Sequence, residues 1–297
     1  MEMDETKVRN RKVWYFAWAL IIVGALMAGL QASQPKGPQI SWRAVPMDGH
    51  RIQAQSVTLE NVSTALGTWE DSVYVAPSGA RYPADSPVAA VARTLQAAQP
   101  KLSHLKVVIG HSDGMYMNLR NQPDLPLGNL VADALRAWGS NHFGVPMDFA
   151  VTNYGGIRVP LPEGAVTLED IVSMFPFKNY MCRVSMKGSS LQKLLEQLAA
   201  TPAFQAVSGC RVEVKDGQLL SVTVGGKPIE PDRLYNVITV DFLLDGGDQI
   251  NIGALAEEVE LTHVLIQTVM LDEVKSVEAA GGVLHPASDG RVVYLND

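Results

Sequence analysis

The sequence has 297 residues, of which 47% are hydrophobic and 19% are charged, and its formal net charge is −7 at pH 7. This composition is that of a globular protein with room for one large domain or two small ones. Because an acidic protein repels a phosphate backbone, the charge balance argues against a nucleic-acid partner.

An uncharged apolar run occupies residues 13–30, directly after a basic flank in residues 1–12. As a helix, this run would span roughly 27 Å, close to the hydrocarbon thickness of a bilayer. The flanking bases are expected to stay in the cytoplasm, so we expect the rest of the chain to be exported to the periplasm or cell envelope. We predict an uncleaved transmembrane signal anchor, with a cleaved signal peptide as the alternative.

A linker and a short lead-in region follow the apolar run. Residues 31–48 contain three prolines and little periodicity, which predicts a linker between the membrane and the body. Residues 49–106 are predicted to form short strands and then a helix that is capped by Asp85 or Ser86 and stopped by Pro100. The apolar face of that helix is predicted to comprise Val88, Val91, Ala92 and Leu95.

Strands and helices alternate through residues 107–297, which predicts an α/β domain with a mixed sheet. The clearest helix follows Gly128, because apolar residues recur there at helical spacing. Its apolar stripe comprises Leu127, Leu130, Val131, Ala134, Leu135 and Trp138. Further strands are predicted at 106–110, 148–152, 180–186, 234–240 and 291–295, with a hairpin of 211–214 and 219–224. Three more helices are predicted, capped by Thr167, by Ser189 or Ser190, and by Thr262. The second of these helices has Leu191, Leu194, Leu195 and Leu198 facing the core.

The two cysteines, Cys182 and Cys210, allow two interpretations. Outside the cytoplasm they could form a disulfide. Each lies in a strand-like run, so two buried free thiols are at least as compatible with the pattern.

Four loops at predicted element ends carry the residue types of a binding site. They read Pro-Leu-Gly-Asn-Leu at 126–130, Asn-Tyr-Gly-Gly-Ile-Arg at 153–158, Phe-Pro-Phe at 175–177 and Asp-Phe-Leu-Leu-Asp-Gly-Gly-Asp at 241–248. Glycine pairs allow a ligand to approach the backbone and free amide groups to point at it. The pairs Gly155-Gly156 and Gly246-Gly247 therefore predict two ligand-facing loops.

Side chains beside these glycines suit the parts of a nucleotide. The forked, permanently charged guanidinium of Arg158 suits phosphate or carboxylate. Phe177 and Phe242 could stack on both faces of a flat ring, with roughly 1–3 kcal/mol for each stacked base. Asp248 can accept two hydroxyl hydrogen bonds, as a ribose would offer.

From about residue 107 to residue 296, the order of these motifs resembles the C-terminal, substrate-binding domain of 5'-nucleotidases. Asn129 matches the Leu-Gly-Asn helix start, and the loops at 153–158, 175–177 and 241–248 match the Gly-Gly-Ile-Arg, Pro-Phe and Gly-Gly-Asp motifs. Ser208-Gly209 and Gly290-Arg291-Val292 also resemble family segments.

The resemblance implies a role for each matched residue. Phe177 and Phe242 would stack on the nucleobase, Asn153 would contact the base, Asp248 would hold the ribose and Arg158 would face phosphate. Tyr154, at the variable position of its loop, is expected to line the pocket. Some family members carry an Arg where this chain has Pro126, and Arg120 is expected to substitute for it.

The resemblance also implies a catalytic half that is not recognised in this sequence. Family enzymes hydrolyse their substrates with two metal ions held by Asp-x-His and Asn-His-Glu/Asp motifs. None of the six histidines has such a context. We therefore assign no catalytic residue, metal ligand or cofactor to this chain and expect the divalent metals on a separately encoded metallophosphatase subunit. The predicted function is nucleotide binding within a 5'-nucleotidase-type hydrolase of nucleotide catabolism.

Two alternatives stay open. One is a non-catalytic, membrane-tethered protein that binds nucleosides or nucleotides through the same pocket. The other rests on the Gly-x-Ser-x-Gly pattern at 110–114, which would make Ser112 the nucleophile of an α/β-hydrolase with His285 as its base. A nucleophile elbow opens into a helix, and the prolines Pro123 and Pro126 make the following segment a poor helix, so this is the minor alternative.

Overall fold

The computed structural model describes residues 61–120, 122–201 and 203–295, all within one structural unit of residues 48–297. The predictions for residues 1–60 fall outside this part of the chain. They include the apolar run at 13–30, the linker at 31–48 and the strands before residue 60. Within the described ranges, no helix is long and apolar enough to cross a membrane.

A small layer precedes the main domain. It comprises helix α1 (Val62–Leu66), the antiparallel strands β1 (Thr68–Glu70), β2 (Val73–Val75) and β3 (Arg81–Pro83), and helix α2 (Pro87–Leu102). The Ser86 hydroxyl accepts a hydrogen bond from the Ala89 amide at 3.2 Å, so Ser86 caps α2 and Asp85 does not. Tyr74 packs with Ala89 and Ala92 in the small core of this layer.

Two predictions about α2 were wrong. The helix continues past Pro100 to Leu102, because a proline so close to the C-terminal end costs the helix little of its hydrogen-bond ladder. The bulky residues of the predicted apolar face, Val88, Val91 and Leu95, are exposed. Ala92 of the predicted face is buried, as expected, together with Ala89. These small residues allow the backbone of α2 to lie close to the aromatic rings of the strands.

The main domain contains ten strands and four helices among the described residues. The strands are β4 (Val108–Ser112), β5 (Phe149–Thr152), β6 (Gly164–Thr167), β7 (Tyr180–Lys187), β8 (Ala206–Ser208), β9 (Cys210–Lys215), β10 (Gln218–Val224), β11 (Leu234–Val240), β12 (Glu258–Leu265) and β13 (Val292–Tyr294). The helices are α3 (Pro126–Phe143), α4 (Leu168–Met174), α5 (Gly188–Ala199) and α6 (Ile266–Ala279). The predicted α/β class is confirmed.

The central sheet has five strands in the order β12-β7-β11-β5-β8. Strands β11 and β5 are parallel, and the other neighbouring pairs are antiparallel, so the sheet is mixed as predicted. A second sheet has the order β10-β9-β13, and β4 pairs with β6. Helix α3 packs on β5 and β8, and α5 packs on β7 and β10. The apolar stripes of both helices supply the core, as their spacing predicted.

Two predicted helix caps were wrong for reasons of tertiary structure. Helix α5 begins at Gly188, ahead of both serines, because the amides of Gly188 and Ser189 donate to carbonyls of the 230–233 turn. A side chain at Gly188 would overlap the Glu230 carbonyl oxygen. Thr262 lies inside β12 and donates its hydroxyl hydrogen bond to the Met181 carbonyl at 2.7 Å, and α6 starts later, at Ile266.

Cys182 and Cys210 are buried free thiols. They lie in different sheets, on β7 and β9, so the disulfide alternative is not realised. Burial raises the pKa of each thiol to about 12, which makes both thiols unreactive at neutral pH.

Arg291 ties helix α3 to the second sheet and to β8. Its Nη1 and Nη2 donate to the two oxygens of Asp133 at 2.8 and 2.9 Å, and its Nε and Nη2 donate to Asp289 at 3.0 Å each. Nη1 also donates to the Val207 carbonyl at 3.0 Å. Only 9% of Arg291 is exposed, and its hydrogen bonds are bidentate at both carboxylates. Removal of Arg291 would therefore leave two carboxylates without their partner, which is the change that destabilises such a cluster.

We predict that Arg291→Met lowers the free energy of unfolding by about 2–3 kcal/mol, because charge-assisted hydrogen bonds are lost and two carboxylates lose their partner. Urea denaturation would measure this loss. The matched control is Arg81→Gln, since the Arg81–Glu70 pair is exposed and such pairs contribute less than about 1 kcal/mol. Equal losses in the two variants would contradict the structural role of Arg291.

The difference in free energy of unfolding between wild type and Arg291→Met should depend on pH. The hydrogen bond from Arg291 holds the pKa of Asp289 below its ordinary value. A depressed carboxylate pKa contributes stability above the unfolded value of about 3.9, and this contribution is lost as the pH falls through the folded value. The difference between wild type and Arg291→Met should therefore shrink in acid.

Candidate functional site

Three of the glycine- and phenylalanine-containing loops lie at one edge of the central sheet. The parallel strands β5 and β11 end at this edge, so the loops at 153–158 and 241–248 leave the sheet side by side. Strand β7 runs antiparallel to β11, with Met181 opposite Val240, so β7 starts where β11 ends. The loop at 175–177, which precedes β7, is thereby brought to the same edge.

A direct hydrogen bond joins the Gly-Gly-Ile-Arg loop to the Gly-Gly-Asp loop. Asn153 Nδ2 donates to Asp248 Oδ2 at 2.6 Å. Asn153 is only 3% exposed, whereas Asp248 is exposed and has a left-handed backbone with φ 50°. The buried amide therefore fixes the orientation of an exposed carboxylate.

Glycine is required beside this pair for steric reasons. A Cβ atom at Gly155 would lie 2.8 Å from Asp248 Oδ2 and 3.0 Å from Asn153 Nδ2. A Cβ atom at Gly156 would lie 3.1 Å from Asn153 Oδ1. Any larger residue at Gly155 would push the two hydrogen-bonded side chains apart. The glycines thus make room for a polar pair of this protein as well as for a ligand.

Arg158 connects the Gly-Gly loop to the Pro-Phe loop. Its amide donates to the Met174 carbonyl at 2.9 Å, and its Nη1 donates to the Gly155 carbonyl at 3.2 Å. Its guanidinium carbon lies 5.6 Å from the centre of the Phe177 ring, within cation–π range. A positive charge therefore stands beside one of the two predicted stacking rings.

Both predicted stacking rings are accessible. Phe177 is 48% exposed and Phe242 is 44% exposed, which is unusual for phenylalanine. The Phe242 ring lies against the backbone of Gly247, where an added Cβ atom would come within 2.5 Å of the ring carbon Cε1. Each ring therefore keeps surface available for a ligand.

Arg120 adds a second cation to this edge. Burial lowers the pKa of the Arg120 guanidinium, the neighbouring charge of Arg158 lowers it further, and Asp248 raises it. The charges of both residues therefore act on Arg120, and its substitution for the arginine missing at Pro126 stays a prediction.

Three residues support these loops in a way that the sequence analysis did not predict, although Asp241 begins a recognised motif. Asn118 Nδ2 donates to the carbonyls of Tyr154 and Ile157 at 2.7 Å each, which holds the Gly-Gly loop. Asp241 Oδ1 accepts hydrogen bonds from the amides of Phe242 at 2.8 Å and Tyr180 at 3.1 Å. Gln267 Nε2 donates to the Phe175 carbonyl at 3.1 Å. Each contact spans many residues of sequence or an irregular loop, so no local pattern marks it.

The expectation that Tyr154 lines the pocket was wrong. Tyr154 is 3% exposed, and burial raises the pKa of its hydroxyl to about 12. Its ring packs on Gly128 of α3, where an added Cβ atom would lie 2.5 Å from Tyr154 Cε1. Asn129, beside it, donates to Asp124 at 2.8 Å and to the Ala287 carbonyl at 2.9 Å. The Leu-Gly-Asn segment thus packs against the buried Tyr154 of the Gly-Gly loop.

The structure does not give Ser112 the geometry of a nucleophile. It ends β4, is 3% exposed and donates its hydroxyl hydrogen bond to the Gly114 carbonyl at 2.9 Å. The chain continues into a loop, with no helix before Pro126 among the described residues. His285 pairs with Asp113. In the described part of the chain, no group of three or more His, Cys, Asp or Glu residues is arranged to hold a metal ion.

Comparison with known proteins agrees with this architecture. Residues 108–255 match the family described as 5'-nucleotidase, C-terminal domain. A solved structure of the 5'-nucleotidase precursor from Thermus thermophilus aligns with a TM-score of 0.62 and 23% identity, covering 70% of this chain and 43% of that one. The chain belongs to the 5'-nucleotidase C-terminal domain family, as its motifs predicted.

Curated relatives match this chain over only part of their own length. The cell wall protein Lmo0130 of Listeria monocytogenes is 32% identical over 184 residues, which are 57% of this chain and 23% of that protein. A 5'-nucleotidase of Vibrio cholerae is 30% identical over 151 residues, which are 48% of this chain and 26% of that protein. The match therefore spans about a quarter of these relatives.

We predict that Asp241 holds both phenylalanine-bearing loops in place. Asp241→Ala should speed hydrogen exchange at the Tyr180 and Phe242 amides about fivefold, since each amide loses a hydrogen bond of about 1 kcal/mol. Asp241→Asn keeps the Oδ1 acceptor and should retain most of the protection. The Val212 amide, which donates to the Arg291 carbonyl, is the internal control. Unchanged exchange at both loop amides in Asp241→Ala would contradict this role.

Proposed function

We propose that this protein binds a nucleoside 5'-phosphate or a related nucleotide, as the substrate-recognition part of a 5'-nucleotidase-type hydrolase in nucleotide catabolism. The observation that carries the proposal is the continuous set of contacts at the sheet edge. It runs from Phe177 through Arg158, Gly155, Asn153 and Asp248 to Gly247 and Phe242. Ring, cation, amide and carboxylate are thus brought together from three loops.

In this proposal, the base stacks on Phe177 and Phe242. Both rings are about half exposed. Phe177 has the Arg158 guanidinium on its ring, and Phe242 lies against Gly247. Stacking on an aromatic side chain contributes roughly 1–3 kcal/mol for each base and tolerates different bases. The proposal therefore names the nucleotide class and leaves the base open.

The ribose binds at Asp248 in this proposal. Asp248 Oδ2 accepts from Asn153, and the carboxylate still offers lone pairs to the two ribose hydroxyls. Asn153 is buried, and its Nδ2 positions Asp248. Its Oδ1 has no hydrogen-bond partner among the described residues, so it can still make the predicted contact with the base.

The phosphate faces Arg158 and Arg120. Arg158 lies beside the Phe177 ring, and its charge and that of Asp248 both act on Arg120. A phosphate would relieve the repulsion between the two guanidiniums and could accept forked hydrogen bonds from them.

We further propose that the catalytic metal centre lies outside this sequence, on a separate metallophosphatase subunit. The proposal is supported by the share of the Vibrio cholerae 5'-nucleotidase that the match leaves uncovered, since only 26% of that protein is matched. The apolar run at 13–30 and the relative named as a cell wall protein support export of the domain, anchored through that run.

The base-stacking role predicts a clear loss of affinity in calorimetric titrations of the full chain with adenosine and AMP. Phe177→Ala and Phe242→Ala should each weaken binding at least tenfold, which corresponds to about 1.4 kcal/mol. Leu220→Ala is the matched control, because it removes an exposed apolar side chain from β10. Unchanged affinity in folded phenylalanine variants would reject the stacking site.

The separate metal centre predicts that the purified full chain releases no phosphate from AMP, with or without magnesium, manganese or zinc. The same preparation should bind AMP, which shows that the domain is folded. Robust metal-dependent phosphate release by this chain would contradict the proposed partner. Binding without any partner that restores hydrolysis would favour the non-catalytic binding protein instead.

A further inference from the structure

A cleft of about 360 Å³ lies between helix α3, the β9–β10 hairpin and the segment before β13. It shares no residue with the loops at 153–158, 175–177 and 241–248. Two motifs that the nucleotide site leaves unused, Ser208-Gly209 and Gly290-Arg291, contribute residues to its wall. Its volume falls at the small end of ligand sites, which are roughly 300–1,000 Å³.

The residues that line this cleft carry more positive than negative charge. Three arginines and two aspartates line it, so one formal positive charge remains, in a protein whose net charge is −7. Arg291 binds both aspartates, Asp133 and Asp289, in a bidentate manner. Arg291 leaves a formal charge of −1 on the two carboxylates together, and the two positive charges of Arg136 and Arg211 exceed it.

The other two arginines have only neutral acceptors among the described residues. Arg136 Nε donates to the Ser208 hydroxyl at 2.9 Å. Arg211 Nη1 donates to the Asp289 carbonyl at 2.9 Å. No ion pair in the described ranges involves either guanidinium. Most of their N–H groups are therefore available to a ligand.

Two glycines with left-handed backbones, one packed and one open, lie beside these arginines. Gly209 has φ +87°, and a Cβ atom there would overlap the Asp148 carbonyl and lie 3.2 Å from Arg136 Cδ. Gly226 has φ +75° and no atom within 4 Å of an added Cβ, so it borders open space. The Arg136 side chain thus packs on the Gly209 backbone, and Gly226 leaves space in the cleft wall.

We propose that this cleft is a second binding site, in which Arg136 and Arg211 hold a small oxyanion of the phosphate or carboxylate class. A guanidinium fork matches the oxygens of both groups, and the N–H donors that lack a protein acceptor supply the hydrogen bonds. Because both arginines are exposed, binding is expected to weaken as salt is added.

The test follows glycine amide signals of the ¹⁵N-labelled full chain by NMR during titration with inorganic phosphate and, separately, with succinate. Signals of Gly209 and Gly226 should shift and saturate with at least one anion, and the anion that binds more tightly identifies the ligand class. Arg136→Gln and Arg211→Gln should each weaken binding at least fivefold, and the double variant should show no saturation.

Two control variants separate this site from other effects. Arg81→Gln removes an equal charge from β3 and should leave the shifts unchanged. Arg158→Gln removes the proposed nucleotide-phosphate contact and should also leave the shifts of Gly209 and Gly226 unchanged, so failure of the nucleotide proposal would not affect this result. Absence of saturation with both anions, or equal shifts in wild type and the double variant, would overturn the second site.

Discussion

The parallel pairing of β5 with β11 is the constraint on which the candidate site depends. It places Phe149 beside Val237 and Ala150 beside Ile238, so the two strands end together and their loops leave the sheet at one edge. Antiparallel β7 then adds its own start to that edge. A register shift of one residue would exchange the two faces of the strand and move the strand ends out of alignment, which would separate the loops. Both faces of β5 are buried, so core packing also fixes this register.

Close packing against glycine is the second physical theme of this molecule. At Gly155 the missing side chain makes room for the Asn153–Asp248 hydrogen bond, and at Gly247 it makes room for the Phe242 ring. At Gly128 it lets the Tyr154 ring lie against helix α3. The motif glycines therefore position other side chains of the protein, in addition to any direct approach by a ligand. The packing of the protein itself therefore requires the glycines of the family motifs, whether or not a nucleotide is bound.

Local periodicity predicted the elements that bury a regular face, and tertiary contacts decided the rest. Helices α3 and α5 were predictable because their leucines and valines recur at helical spacing and are buried. The start of α5 was not, because the 230–233 turn satisfies its first amides. The residues of the site were identifiable from motif order, but the partner of Asn153 was not, since Asp248 lies 95 residues away in sequence. The contacts of Asp241 with Tyr180 and of Gln267 with Phe175 were not predicted for the same reason, although Asp241 itself belongs to a recognised motif.

We propose that one sheet edge forms a nucleotide site from three loops, and a crystal structure of the full chain with AMP would test this proposal. We expect the adenine between Phe177 and Phe242, the ribose hydroxyls on Asp248 and the phosphate toward Arg158, with the Asn153–Asp248 hydrogen bond retained. An ordered AMP molecule bound elsewhere on the domain, with the two phenylalanine rings unoccupied, would overturn the proposed site.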